Sequence, residues 1–435
     1  MGGVLALVLV RLDQVVDNSS LEGWVWIFAG GPDGARSVLS AIASSILAVT
    51  STTFTITIAV LTLTSSQFGP RLLHNFLRET GNQIVLGIFL GTFLYSLLVL
   101  RTVRGPDHTV FVPQIAVTGG VALAILCMVM LIYFIQHTIT SIQVNHIIST
   151  AGEDLLHGAK SIFPEGIGVS PEEASDAPPQ GKVKPAEKTG IGSDLEEWSD
   201  GIPVPSPDSG YVQAIDGKRL MQVAGDLEGT IAIRTLPGQM AIHGLPLATV
   251  HAEKECHVGM VNRIADAFTL GEYRTHHQDI CFTLSQLNEI AVRALSPGIN
   301  DPNTAISCID RITAGLCVIA RRPAIAPLRY DDAGNLRIVA PTPVFSELLD
   351  EGFSQIRRYG SQDAEVMKRL LEALEIIGQC TRSEERLQAL SHHADLVLAA
   401  IQAYPVAEEA RKKVEEQYFM AWRTLQAQRE AGRVK

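Results

Sequence analysis

The residues best equipped for chemistry gather in one stretch, RTHHQDICFTLSQLNEIAVRALSPGINDPNTAISCIDRI, which begins at Arg274. Within it Gln278, Phe282, Leu287, Ile290 and Ala291 keep helical spacing, and Ser296-Pro297-Gly298 ends that helix. Asn300-Asp301-Pro302 then opens another, with Asp301 as an N-cap that accepts from unpaired amides and Pro302 at the first helical position. A capped turn needs only Gly298, Asp301 and Pro302, so Arg274, Gln278, Asp279, Arg293, Ser296 and Asn300 are left over. Asp279 falls within ion-pair reach of Arg274 or Arg293. A helix start beside two arginines suits a small anionic ligand. Arg274, Gln278, Asp279, Arg293, Ser296, Asn300 and Asp301 are therefore the candidate ligand or coupling site. The pairs His276-His277, Cys256-His257 and His392-His393 are a poor metal set, because neighbours on a helix point about 100° apart. No Cys-x-x-Cys or His-x-x-x-His spacing supports a metal, and no Walker loop, dinucleotide glycine fingerprint or Gly-x-Ser-x-Gly elbow appears. No catalytic residue, metal or cofactor is assigned.

The elements that must position this stretch follow from the distribution of charge. The chain has 435 residues, 35 basic and 46 acidic, for a net charge of −11, which makes nucleic acid an unsuitable partner. Charged residues are 19% of the chain against a usual share of about 25%, and the deficit is local. No Asp, Glu, Lys or Arg occurs between Arg36 and Arg71, from Thr80 to Leu100, or from His108 to Gly152. Each stretch exceeds the roughly 18 apolar residues that mark a membrane span. A purely soluble protein is excluded, and the lipid bilayer is the first partner.

Residues 1–36 hold a shorter apolar segment, MGGVLALVLVR, that covers only about half of a ~30 Å hydrocarbon core. It reads as a short anchor or a truncated start. Residues 37–137 supply three transmembrane helices. In the first of them Ser37, Ser40, Ser44, Ser51, Thr55 and Thr62 recur at three, four and seven. That spacing stacks hydroxyls on one face, either for close helix packing or as a pore wall. Ser40, Ser44, Ser51, Thr55 and Thr62 are the candidate pore-lining residues. Gly87 and Gly91, four apart in the next helix, permit a close crossing. Between these helices GPRLLHNFLRET reads as a short interfacial helix, with Arg71 and Arg78 facing phosphates. The third helix is expected to run on through 138–163 into solvent as one long helix. The two short loops carry two arginines each, so the charge rule leaves orientation tied. Five of the six cysteines lie in the C-terminal half without a disulfide framework, which favours the cytosol for that half.

Residues 164–208 carry ten acidic and three basic side chains amid Pro, Gly and Ser, the composition of a disordered linker. From 209 to 251 the strands GYVQAI, GTIAIRT, QMAI and LATV alternate with turn residues, giving a small β-barrel or β-sandwich module. Its PGQMAIHGLPLATV run is similar to half of the barrel-sandwich hybrid fold of biotinyl and lipoyl carrier domains. No lysine occupies the hairpin tip, so a structural or contact role is expected. Residues 252–435 read as helical throughout.

Five separated runs, SSQFGPRLLHNFLRETGNQ, LGIFLGTFLYSLLVLR, FVPQ, SGYVQAID and RALSPGINDPNTA, together resemble the bacterial membrane-protein family catalogued as domain of unknown function 2254. The resemblance extends over nearly the whole chain. It implies four membrane helices and a cytosolic C-terminal region, and it supplies no catalytic residues. The expected fold is a multi-pass α-helical membrane protein of the inner membrane, with a cytosolic small β-barrel or β-sandwich module and an α-helical C-terminal domain. The expected function is an oligomeric, channel-like conduit gated by its cytosolic domain. A membrane-anchored sensor or scaffold and a membrane-bound enzyme using the loop near Asp301 are the alternatives.

Overall fold

The computed structural model describes residues 2–15, 30–68, 80–104, 111–141, 144–162, 167–170, 200–252 and 254–433, together with Phe28, Pro164 and Trp198. Arg71, Arg78, the expected interfacial helix around them and most of the acidic linker lie outside these residues. The described chain is mainly helical and divides into two units, residues 1–146 and 147–435.

The N-terminal unit holds α1 (Gly2–Val15), α2 (Pro32–Phe68), α3 (Thr80–Leu100) and α4 (Gln114–Ser141). Uncharged apolar sequence makes α2 to α4 long, and their inner faces form two clusters. One joins Ala6, Leu39, Tyr95, Val99 and Val117, and the other joins Ile46, Val85, Phe89, Cys127 and Phe134. The outer faces stay apolar: Met128 is 69% and Ile125 62% exposed. Such a surface is costly in water and favourable in hydrocarbon. At the crossing of α1 and α3 a Cβ built on Gly2 would run into the Gly91 carbonyl, so backbone meets backbone there. Gly87, by contrast, has nothing near its Cβ position. Helix α4 ends at Ser141 and α5 (Val144–Gly158) follows it; the two residues between them, where the expected single helix would continue, lie outside the described residues.

The C-terminal unit combines two small sheets with a helical layer. Strands β1 (Ile202–Pro205), β5 (Pro246–His251), β3 (Thr230–Ile233), β8 (Leu336–Val339) and β7 (Leu328–Tyr330) lie side by side in that order. All pairs are antiparallel except β3 with β8. A second sheet orders β4 (Met240–Ala241), β2 (Gly210–Ile215) and β6 (Phe268–Gly271). Among the described residues these are two small sheets and no closed barrel is formed; the outer strand β7 is bridged to Val169 through Tyr330. QMAI and LATV, read as one hairpin-like half, belong to different sheets. Three departures explain this. The stretch after Asp216 forms α6 (Gly217–Asp226), whose Asp216 cap accepts from the Arg219 amide. Strand β1 begins at Ile202, ahead of position 209. Strands β6, β7 and β8 interrupt the region read as wholly helical, β7 and β8 joined by a turn in which Asp331 accepts from Ala333 and Asn335 and Gly334 has φ +80°.

A core of Leu220, Val223, Ile231, Ile233, Leu247, Ile264 and Ile338 closes around α6, α7 (Val258–Ala265) and the sheets. The helical layer runs through α8 (Ile280–Ala294), α9 (Pro302–Arg321), α10 (Phe345–Tyr359), α11 (Ala364–Gln379), α12 (Glu384–Gln402) and α13 (Glu408–Arg433). Four described helices, α2, α3, α4 and α9, are long and apolar enough to cross a membrane. More than half of the apolar window of α9 is buried inside the unit, and its Asp310 is paired with Arg369 at 2.6 Å. We therefore place α9 in the core of the C-terminal unit, packed on α8 and α11.

Candidate functional site

The seven residues of the 274–301 stretch separate to the two ends of α8. Fifteen helical residues lie between the caps, which sets Asp279 and Arg293 about 21 Å apart along the axis. One shared ion-pair network is thereby ruled out. At the N-terminal end Asp279 is the cap: its Oδ1 accepts from the Phe282 amide at 3.0 Å, and its Oδ2 accepts from Arg274 Nε at 2.8 Å. Arg274 lies over the Phe282 ring, 5.4 Å from its centroid. Gln278 pairs with the end of β2, accepting from the Ile215 amide at 2.9 Å and donating to the Ile215 carbonyl at 3.2 Å. Asp279 is 5% exposed and sits against Gly238, whose φ of +86° only glycine takes readily. Burial pushes the Asp279 carboxyl above its ordinary value, opposed by the Arg274 charge. This end fastens α8 to the smaller sheet.

At the C-terminal end Arg293 donates to Glu289 at 3.2 Å, one turn back on the same helix. Ser296 Oγ donates to the Arg293 carbonyl at 2.6 Å. The amides of Asn300 and Asp301 return to the carbonyls of Ser296 and Ala294 at 2.9 and 2.8 Å. Asn300 takes φ +49° to make that return, a conformation asparagine tolerates better than most residues. Asp301 caps α9 through the Thr304 amide at 3.2 Å and the Thr304 hydroxyl at 2.6 Å. Pro297, Gly298, Ile299 and Asn300 form an exposed tip.

In the N-terminal unit the hydroxyl stripe keeps its predicted alignment. Ser40, Ser44, Ser51, Thr55 and Thr62 are all exposed, on the side away from buried Leu39, Ala43, Ile46, Thr53 and Val60. Three of the hydroxyls bond to their own helix, since Ser44, Thr55 and Thr62 each donate to the carbonyl four residues back at 2.9 to 3.0 Å. Leu47 and Ile58, both 49% exposed, share the face, so hydroxyl and aliphatic bands alternate along it.

Two features escape a reading of residue types. Asp13, near the end of α1, is 4% exposed and accepts from the amides of Ile115 and Ala116 at 2.9 and 2.8 Å. It caps α4 from another helix, and its signal was a lone acid beyond the apolar run of α1. Beside it a cavity of about 540 Å³ is walled by Leu7, Val10, Leu98 and Phe111, with Arg101 and Arg104 at its polar side. Among the described residues no group of three His, Cys, Asp or Glu side chains is placed to hold a metal ion.

Comparison with known proteins agrees with the architecture. Residues 1–376 match the family described as predicted membrane protein, DUF2254. The uncharacterised proteins Rv1290c of Mycobacterium tuberculosis and Mb1321c of Mycobacterium bovis are each 32% identical over 419 residues, covering 95% of this chain and 75% of theirs. No solved structure matches. With the family match spanning the membrane helices, both sheets and the turn at 296–302, the chain belongs to the DUF2254 family of predicted membrane proteins.

Proposed function

We propose that this membrane protein assembles as a homo-oligomer around α2 and forms a conduit whose wall is the hydroxyl face of that helix. The observation that carries the reading is the outward aspect of the stripe: from Ser40 to Thr62 it is left uncovered by α1, α3 and α4. Copies meeting through α2 would bring these hydroxyls together, with Leu47 and Ile58 as aliphatic bands between polar ones. Polar and apolar bands in alternation are a familiar wall for a gated water path. The C-terminal unit acts as the gate. Its response passes through the Ser296–Asp301 turn, whose exposed tip is free to meet another surface. We place the protein in the inner membrane with the C-terminal unit in the cytoplasm, a reading supported by six free cysteines, five of them in that unit.

Single cysteines at Ser44, Ser51 and Thr55, in a background lacking the native six, test the wall. They should react with a membrane-impermeant thiol reagent, while cysteines at Ile125 and Met128 on the lipid face should not. Liposomes holding the protein should leak small ions, and blocking Ser51→Cys should reduce that leak. Equal protection at all five positions with no leak would overturn the conduit. It would leave the second reading, a membrane-anchored sensor or scaffold, which is favoured by the hydroxyls that already bond to their own helix and so suit a dry interface.

A further inference from the structure

Between the end of α9 and the start of α12 lies a cavity of about 460 Å³ with Arg321, Arg322, Arg382 and Arg386 in its wall. Two of these arginines have structural work. Arg386 Nη1 donates to the carbonyls of Ile319, Ala320 and Arg322 at 3.3, 2.9 and 2.7 Å, closing the last turn of α9. Arg322 Nη1 donates to the Ala159 carbonyl at 2.6 Å. Arg321 and Arg382 are exposed and, among the described residues, have neither an ion pair nor a side-chain hydrogen bond. Glu385 is the single acid in the wall.

Four guanidinium groups against one carboxylate, in a chain of net charge −11, make a concentrated positive concavity. Arg321 and Arg382 share the wall of one cavity, and two cations on one wall are better satisfied with an anion between them. Each presents a planar fork that fits two oxygens of a phosphate. The volume falls within the roughly 300 to 1,000 Å³ of small-molecule sites. The apolar part of the wall is only Ala320, Pro323 and Ala324, with no aromatic ring and no long aliphatic chain. That wall disfavours an acyl tail or a stacked base.

We propose that this cavity binds a small, soluble phosphorylated anion, gripped by Arg321 and Arg382 over a floor set by Arg386. The site is separate from the α2 face, and its occupancy does not depend on the conduit reading. It offers a chemical input to the C-terminal unit at a place where α9, α11 and α12 converge.

The test uses the full chain in an uncharged maltoside detergent, free of lipid phosphate, titrated calorimetrically with pyrophosphate, sulfate and dihexanoyl phosphatidic acid. Pyrophosphate should bind saturably, and the Arg321→Ala/Arg382→Ala double variant should bind it at least about tenfold more weakly. Because both side chains are exposed, the unliganded variant should melt with the native protein. Should it melt lower, Arg321→Lys/Arg382→Lys, which keeps the charge and loses the fork, should still weaken pyrophosphate binding. Pyrophosphate should also slow alkylation of Cys380, which lines the same cavity, in the native protein and not in the double variant. Absence of pyrophosphate binding, equal affinity for sulfate, unchanged affinity in both variants, or tighter binding of the phosphatidic acid would each overturn the proposal.

Discussion

At the scale of single residues, the two halves of the 274–301 stretch differ in what their removal should cost. Asp279 caps α8, neutralises Arg274 and is almost wholly buried. Asp279→Ala therefore removes a cap and strands a cation, and should destabilise the C-terminal unit by about 2 to 4 kcal/mol. Arg293 pairs with Glu289 on its own helix and is partly exposed, so Arg293→Ala should cost less than Asp279→Ala, about 1 kcal/mol or less. Denaturant midpoints of the two variants check both figures, and equal losses would contradict the separation of the two ends. His393 adds a pH dependence. It is 3% exposed, and burial first, with the charges of Arg357 and His392, pushes its pKa down to about 4 despite Asp350 at 3.5 Å. Between about 6.5 and 4 the unfolded chain takes up a proton that the folded chain refuses. Stability is thus intact above that window and falls as pH drops through it, by up to about 3 kcal/mol. The loss should vanish in His393→Gln, as read from denaturant midpoints at about pH 7 and about pH 5. The caps at Asp301 and Pro302 were legible in the sequence because capping depends on near neighbours. The partner of Gln278 was not, because Ile215 lies 63 positions away.

At the scale of elements, periodicity told most where one face of a helix differs chemically from the other. The α2 stripe kept its alignment because a helix fixes the angle between Ser40 and Thr62 whatever surrounds it. The apolar run of α9 resembles a span in length, and its exposed Asp310 and Arg311 mark a polar face opposite the buried one. The strands were harder to read. Runs of three or four residues such as β7 and β8 carry little periodicity, and which sheet they join is decided by pairing at long range. The glycines of α1 and α3 yield a paired test. Gly2→Ala, whose Cβ would run into the Gly91 carbonyl, should force α1 away and cost about 1 to 3 kcal/mol, while Gly87→Ala, with open space at its Cβ, should be nearly neutral. Thermal melts of the two variants in one detergent compare them directly, and equal shifts would show that the α1–α3 approach contributes nothing.

At the scale of the whole molecule, the uncharged stretches set out a membrane-spanning part followed by a large polar one, and the chain divides into its two compact units after His146. The short loops carry equal numbers of arginines, so the charge rule favours neither orientation and a fusion decides it. A reporter enzyme active only in the periplasm, fused after Lys435, should stay silent if the C-terminal unit is cytoplasmic. The larger sheet has a further consequence for synthesis. Its inner strand β3 pairs in parallel with β8, joining Ile231 to Ile338. A nascent chain must therefore hold an open β3 edge while α7, α8 and α9 are still emerging from the ribosome, since the neighbour that covers it comes more than a hundred residues later. During that interval the edge can recruit strands from other chains. A chain whose translation stops before Val339 should therefore aggregate more readily than the full-length chain.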